Sequence, residues 1–227
     1  MLFRENLRAI LRKHWVHIPC VGSILFVLAM LSDTLRPHLL PWVRENGPIE
    51  LMTFGLALAA GLFGFIVARK ASRSSASFFT GVFLYLFATG SLLVALEEIA
   101  WGQTFLNYNA PSYFLENNAQ QEVTLHNLNG MHGASDYLCM VFGLTGLIGL
   151  YGFRGEKWAG IAVPPRLFSL LVTITAGSVL SVAQGIWYFS SPEFALGRKL
   201  AELLELWVAL AAFLYAWHHF RASRKKT

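Results

Sequence analysis

Six long apolar stretches, separated by polar segments, dominate this chain of 227 residues. An α-helix needs about twenty apolar residues to cross ~30 Å of hydrocarbon. The pattern therefore predicts an all-α fold, a polytopic membrane helix bundle with six transmembrane helices that forms one integral membrane domain over residues 1–227. The predicted spans are Trp15 to Ser32, Ile49 to Ala68, Ser77 to Trp101, Ala134 to Phe153, Leu167 to Phe189 and Leu200 to His218.

The composition favours a membrane protein over a soluble domain. Hydrophobic residues make up 55% of the chain and charged residues 14%, whereas about a quarter of the residues in an average soluble domain are charged. We therefore expect the lipid bilayer to be the main partner of this chain.

Lysine and arginine alternate between rich and poor segments from one predicted loop to the next. The positive-inside rule places the rich segments in the cytoplasm, which predicts that both termini are cytoplasmic. The pI near 9.4 then reflects topology, and no nucleic-acid partner is expected, because a soluble nucleic-acid binder would not segregate its charges by loop. The rich segments carry Arg4, Arg8, Arg12 and Lys13, then Arg69, Lys70 and Arg73, then Arg154, Lys157 and Arg166, and finally Arg221, Arg224, Lys225 and Lys226.

Four glutamates lie at the ends of predicted spans. Glu97 and Glu98 end the third span, while Glu202 and Glu205 begin the sixth, three residues apart and therefore on one helical face. A charged side chain at the centre of a bilayer costs about 3 kcal/mol or more. These acids are therefore the strongest indication of a functional site in the sequence.

The direction of the spans brings distant polar residues to one side of the membrane. The third span runs outward and the sixth runs inward, so both acidic pairs are expected in the outer half. Residues 102–133 join the third and fourth spans on that side, contain no Lys or Arg, and are predicted to form a re-entrant or interfacial loop. The residues expected to contact a substrate in a shared outer cavity are Trp101, Gln103, Asn127 and Gln184.

Carboxylates and an imidazole in one cavity allow two kinds of chemistry. Glu98, His126 and Glu205 are candidate ligands for a divalent metal cofactor such as Zn, Mn or Fe. Alternatively, crowded acids retain a proton and act as general acids or bases. A third interpretation is that the acids are hydrogen-bonded and only hold the helices together. The candidate catalytic residues are Glu97, Glu98, His126, Glu202 and Glu205.

Two short segments resemble a known pattern. The segment EEIAWGQ at Glu97 to Gln103, followed by QEVTLHN at Gln121 to Asn127, is similar to a family of uncharacterised bacterial multi-pass inner-membrane proteins, in which an EE-aromatic-GQ stretch precedes a Leu-His-Asn stretch. Ala100 stands where that pattern often has Ser. The resemblance implies a place in the bacterial inner (plasma) membrane and implies no activity. It groups Glu97, Glu98, Gln103, His126 and Asn127 as one set.

Three functions remain open at this point. The leading hypothesis is an enzyme that acts on a lipid or lipid-linked substrate at the outer leaflet. A proton- or cation-coupled transporter is the alternative, since ion pathways also use intramembrane carboxylates, although the inner halves of the spans are mostly apolar. A non-catalytic membrane assembly protein is the third, and the sequence predicts neither a substrate nor an oligomeric state.

Overall fold

Long helices account for most of the fold. The computed structural model describes residues 17–44, 46–73, 78–118, 120–129, 134–153, 155–187 and 192–224, and over these residues it confirms the predicted all-α fold class. The long helices are α1 (Ile18–Leu31), α2 (Pro48–Arg73), α3 (Phe78–Glu98), α4 (Ala134–Gly152), α5 (Phe168–Trp187) and α6 (Pro192–Arg224). Short helical segments between them are Arg36–Leu39, Leu40–Trp42, Ala100–Gly102, Gln103–Leu106, Ser112–Asn117, Glu156–Trp158 and Pro165–Leu167.

Five helices are long and apolar enough to cross a membrane. They contain the segments Pro48–Arg73, Phe78–Glu98, Ala134–Gly152, Pro165–Gln184 and Lys199–Arg224. The first predicted span corresponds to α1, which has 14 residues and is shorter than the thickness of a bilayer requires. Trp15, at the predicted start of that span, and the basic residues before it lie outside the described residues, as do Arg154, Lys225 and Lys226. The first predicted span, and with it the count of six, therefore stays a prediction.

Glycine residues, which have no side chain, allow α2 and α3 to pack closely. A Cβ atom on Gly61 would lie 2.4 Å from Leu92 Cδ2, and one on Gly64 would lie 2.9 Å from the Ala88 Cβ. Both distances are too short for real atoms, so only glycine permits this helix spacing. Small residues serve this purpose in membranes because close packing, more than the hydrophobic effect, drives the association of helices in lipid.

An alanine seam joins α2 to α6 in the same way. Ala57 packs with Ala209, and Ala60 packs with Ala212 and Ala216, all nearly inaccessible. Because α3 and α6 both lie against α2, the end of α3 and the first turns of α6 are held beside the start of α2. Packing thus decides where the acidic residues meet.

The remaining helices attach to this three-helix unit. In α4, Gly143 and Gly146 contact Thr175 and Leu171 of α5. Helix α1 is tied to α6 by a hydrogen bond from the indole N–H of Trp207 to Ser23 Oγ, at 2.9 Å. Trp207 therefore has a hydrogen-bond partner on α1.

One end of the bundle brings together two connecting segments and the first half of α6, and we call it the acidic end. There the Lys199 ammonium, in the first half of α6, donates to the Val43 carbonyl at 2.8 Å, and the Thr104 hydroxyl, after α3, donates to Asn46 Oδ1 at 2.8 Å. The segments before α2, after α3 and at the start of α6 therefore form one surface.

Substituting a packed glycine tests this account of the fold. A Cβ on Gly143 would lie 2.4 Å from Thr175 Oγ1 and 3.0 Å from the Thr175 backbone nitrogen. We expect Gly143→Ala to lower the free energy of unfolding by about 1–3 kcal/mol through overpacking. The measurement is thermal unfolding of the purified protein in detergent. The matched control is Gly90→Ala on α3, where a Cβ meets no atom within 4 Å, and it should be neutral or stabilising; equal effects of the two substitutions would contradict the packing described.

Candidate functional site

A left-handed turn ends α3 directly after the two acids. Ala100, Trp101 and Gly102 have φ of 45°, 55° and 97°, which is a costly conformation for the first two because they carry a Cβ. The Gly102 N–H donates to the Ile99 carbonyl at 2.8 Å, closing the turn. The chain thereby reverses over the acidic end instead of leaving the bundle.

The Glu97 carboxylate fastens the following segment to the end of α3. Its Oε1 accepts the indole N–H of Trp101 at 2.6 Å, and its Oε2 accepts the backbone N–H of Leu125 at 2.7 Å and that of His126 at 3.3 Å. Oε2 also lies 3.1 Å from His126 Nδ1. A single side chain thus holds both ends of a segment of more than twenty residues.

The Glu97 contact selects the tautomer of His126. An ionised carboxylate only accepts hydrogen bonds, so Nδ1 carries a proton and donates to Oε2. In the neutral ring, Nε2 then has the lone pair, and Asn127 Nδ2 lies 3.1 Å from it as a donor. A second proton on Nε2 would require the Asn127 amide to turn away. The Glu97 carboxylate, the His126 imidazole and the Asn127 amide therefore form a short chain of hydrogen bonds.

The pKa of the His126 imidazole is raised above its ordinary value of 6.5. Burial acts in the opposite direction, but the hydrogen bond to Glu97 and the negative charges of Glu205, Glu97 and Glu202 outweigh it. Because the pKa of His126 is raised in the folded protein, the stabilisation from the charged Glu97–His126 pair is complete at any pH below the pKa of the unfolded chain. It is lost as the pH rises through the pKa of the folded protein.

Glu98 points away from its neighbour and toward a group of carboxylates. Adjacent helical positions differ in direction by about 100°, and while Glu97 contacts the segment after α3, Glu98 lies within electrostatic range of Glu205, Glu202 and Glu50. We call Glu50, Glu98, Glu202 and Glu205 the carboxylate cluster; its members come from α2, α3 and α6. The two acidic pairs predicted from the sequence thus do meet at one end of the bundle.

Helices α4 and α5 add polar groups beside the cluster. Ser135 lies within hydrogen-bonding reach of Glu205, and Ser181 within reach of Asp136. Gln184 lies three residues after Ser181 on α5. Its Oε1 atom is buried, and none of the described residues donates a hydrogen bond to it. The predicted contact between Gln184 and a substrate stays a prediction.

Side-chain amides stiffen the segment that carries His126. Asn118 Nδ2 donates to the Thr124 carbonyl at 2.8 Å, and Gln103 Oε1 accepts the Val123 N–H at 2.9 Å. Asn127 also donates to Gln120 Oε1. Gln103 and Asn127, predicted as substrate contacts, thus hold the segment that positions the imidazole.

The predicted metal ligands Glu98, His126 and Glu205 gain no support from the geometry. Within the ranges that the structure describes, no group of three or more His, Cys, Asp or Glu side chains could hold a metal ion. The physical reason lies in His126, whose two ring nitrogens already face Glu97 and Asn127. His132, the other histidine of this segment, lies outside the described residues.

Three residues of the acidic end escaped the sequence analysis. Glu50 was overlooked because an acid in the first turn of a helix ordinarily stabilises the helix dipole, and here its carboxylate does accept the Asn46 N–H. Asn46 and Glu122 were overlooked because they are 76 residues apart, yet Asn46 Nδ2 donates to Glu122 Oε1 at 3.3 Å. The positive φ of Asn46, 57°, is typical of Asn in a turn.

No family model, no curated protein and no solved structure matches this chain. The resemblance to the EE-aromatic-GQ pattern therefore stays a prediction.

Replacing Glu97 should move the titration of His126. We expect Glu97→Gln to lower the pKa of the imidazole, because the burial that disfavours its charged form remains while the ionic hydrogen bond is lost. The measurement is a pH titration of the ring nitrogens by nuclear magnetic resonance in detergent. The control is Glu116→Gln, an exposed acid of the same segment, which should leave the pKa of His126 unchanged; an unchanged pKa in Glu97→Gln would contradict the contact.

Proposed function

We propose that this chain is a multi-pass inner-membrane enzyme, with six spans and both termini cytoplasmic, that performs acid–base chemistry on a lipid or lipid-linked substrate at the outer leaflet. The observation that carries the proposal is the 3.1 Å contact between Glu97 Oε2 and His126 Nδ1 beside the carboxylate cluster. A carboxylate that orients an imidazole is a recurrent device for making a general base.

His126 is the proposed base. With Nδ1–H held by Glu97, Nε2 is the atom that accepts a proton from a substrate hydroxyl or a water molecule, and the Glu97 charge stabilises the imidazolium that results. Asn127 covers Nε2 in the free protein and would rotate away on substrate binding. The His126 side chain is 34% exposed, so a substrate can reach it.

The carboxylate cluster is the proposed acid. Carboxylates that share a poorly solvated site cannot all be charged, so one of them keeps a proton that can pass to a leaving group. Glu98 and Glu205 suit this role because they come from different helices and lie within electrostatic range of each other.

Access from the lipid supports the choice of substrate class. The segment between α3 and α4 exposes Phe105, Leu106 and Tyr113, whose exposed fractions are 56%, 74% and 60%, and the sequence of residues 102–133 contains no Lys or Arg. Exposed aromatic and aliphatic groups at one end of a helix bundle are typical of a surface that lies at the membrane interface.

Proton- or cation-coupled transport is a second candidate with one observation in its favour. Ser178 lies one turn from Ser181 toward the middle of α5, is fully buried, and its Oγ has no hydrogen-bond partner among the described residues. A polar atom of this kind extends the polar region from the acidic end into the bundle. Proteoliposome proton flux that depends on Glu205 and Ser178 would favour transport over catalysis.

Conservative substitutions test the enzyme. His126→Gln and Glu205→Gln should each reduce turnover of the substrate lipid about a hundredfold or more, the usual contribution of a general acid or base. The measurement compares, by mass spectrometry, the membrane lipids of cells that express each variant at equal level. Glu116→Gln is the matched control and should behave as the unsubstituted protein.

Two outcomes would overturn the enzyme proposal. One is a lipid profile that does not change between cells with and without the unsubstituted protein. The other is a change in lipid profile that His126→Gln and Glu205→Gln leave intact. Loss of stability in detergent with no effect on lipids would instead indicate an assembly protein.

A further inference from the structure

A polar cleft opens on the acidic end, beside the hydrogen-bonded pair of Glu97 and His126. Its volume is about 380 Å³, and its lining consists of Asn46, Gln103, Thr104, Asn107, Tyr108 and Glu122. Three of these side chains are amides, two carry hydroxyl groups and one is a carboxylate. None is cationic.

Hydrogen bonds between the lining residues fix the walls of this cleft. The Thr104 hydroxyl donates to Asn46 Oδ1 at 2.8 Å, and Asn46 Nδ2 donates to Glu122 Oε1 at 3.3 Å. The Tyr108 hydroxyl lies 3.3 Å from the Ala100 carbonyl, in the left-handed turn. The cleft is therefore preorganised, which lowers the entropic cost of binding a ligand.

The lining also places the cleft next to the proposed base. Val123, whose N–H is held by Gln103, and Glu122 directly precede the segment in which Glu97 holds Leu125 and His126. A ligand in the cleft would thus sit along the same short stretch of chain as the imidazole.

The chemistry of the lining matches neutral hydroxyl groups. Amides and hydroxyls both donate and accept hydrogen bonds, as the hydroxyls of a sugar do, and the single carboxylate accepts from two of them. A phosphate would instead call for Arg or Lys, which the lining lacks, and it would face Glu122.

We propose that this cleft binds the neutral, polyhydroxylated headgroup of a glycolipid or lipid-linked sugar. The binding stands on the cleft alone, whereas the assignment of that lipid as substrate rests on the proposed enzyme. Phe105 and Leu106 lie next to the cleft residue Thr104 and are exposed, so the acyl chains of such a lipid would remain in the bilayer.

Lipids with identical chains and different headgroups test the cleft. The probes are dioleoyl glucosylglycerol, dioleoyl phosphatidic acid and dioleoyl trimethylammonium-propane, and the measurement is their binding to the full chain by native mass spectrometry. We expect the glucosyl lipid to bind about tenfold more tightly than either charged lipid.

Two substitutions in the cleft should weaken glucosyl-lipid binding. Thr104→Val removes a hydroxyl and Asn107→Gly removes an amide while suiting the φ of 50° at that position; each should weaken binding about fivefold, the effect of one hydrogen bond. The matched control is Thr145→Val on an exposed face of α4, which should have no effect. Thermal unfolding of each variant verifies that the protein remains folded.

The outcomes separate the cleft from the enzyme. Tighter binding of either charged lipid, or unchanged glucosyl-lipid binding in both Thr104→Val and Asn107→Gly, would overturn the headgroup site even if His126-dependent lipid turnover were found. Cleft-dependent binding of the glucosyl lipid supports the headgroup site, and it does so even if no lipid is turned over and the enzyme proposal fails.

Discussion

The hydrogen bonding of one carboxylate, that of Glu97, decides how the acidic end is built. A half-buried carboxylate loses part of the hydrogen bonding that water gives it, and hydrogen bonds to a charged group contribute about 1.5–3 kcal/mol each, so partners within the protein are needed to keep it charged there. Trp101, Leu125 and His126 supply them. The segment after α3 must therefore fold back over the bundle, and the imidazole is oriented as a consequence of meeting this requirement.

Close helix packing creates the second feature of the site at an electrostatic cost. Glycine and alanine contacts bring α2, α3 and α6 together, and this places Glu50, Glu98 and Glu205 near one another. Mutual repulsion of these acids opposes the packing. Natural proteins tolerate such conflicts mainly at functional sites, which is why we interpret the cluster as a site and not as a means of holding helices together.

Hydropathy alone predicted the helical fold and six spans, five of which correspond to helices of membrane length, because these depend on local pattern. The sequence also predicted that the two acidic pairs meet, because the alternation of Lys and Arg content between loops indicates the direction of each helix. It could not predict the turn at Ala100 and Trp101, since neither residue favours positive φ. Nor could it predict the contact between Asn46 and Glu122, or the cleft they line, because these depend on tertiary packing.

Hydrogen–deuterium exchange of the Leu125 and His126 backbone amides tests the role of Glu97 most directly. Both amides donate to its carboxylate, so they should be protected in the unsubstituted protein and exchange markedly faster in Glu97→Ala, while Glu116→Ala leaves them protected. Equal protection of both amides in Glu97→Ala and in the unsubstituted protein would contradict the account.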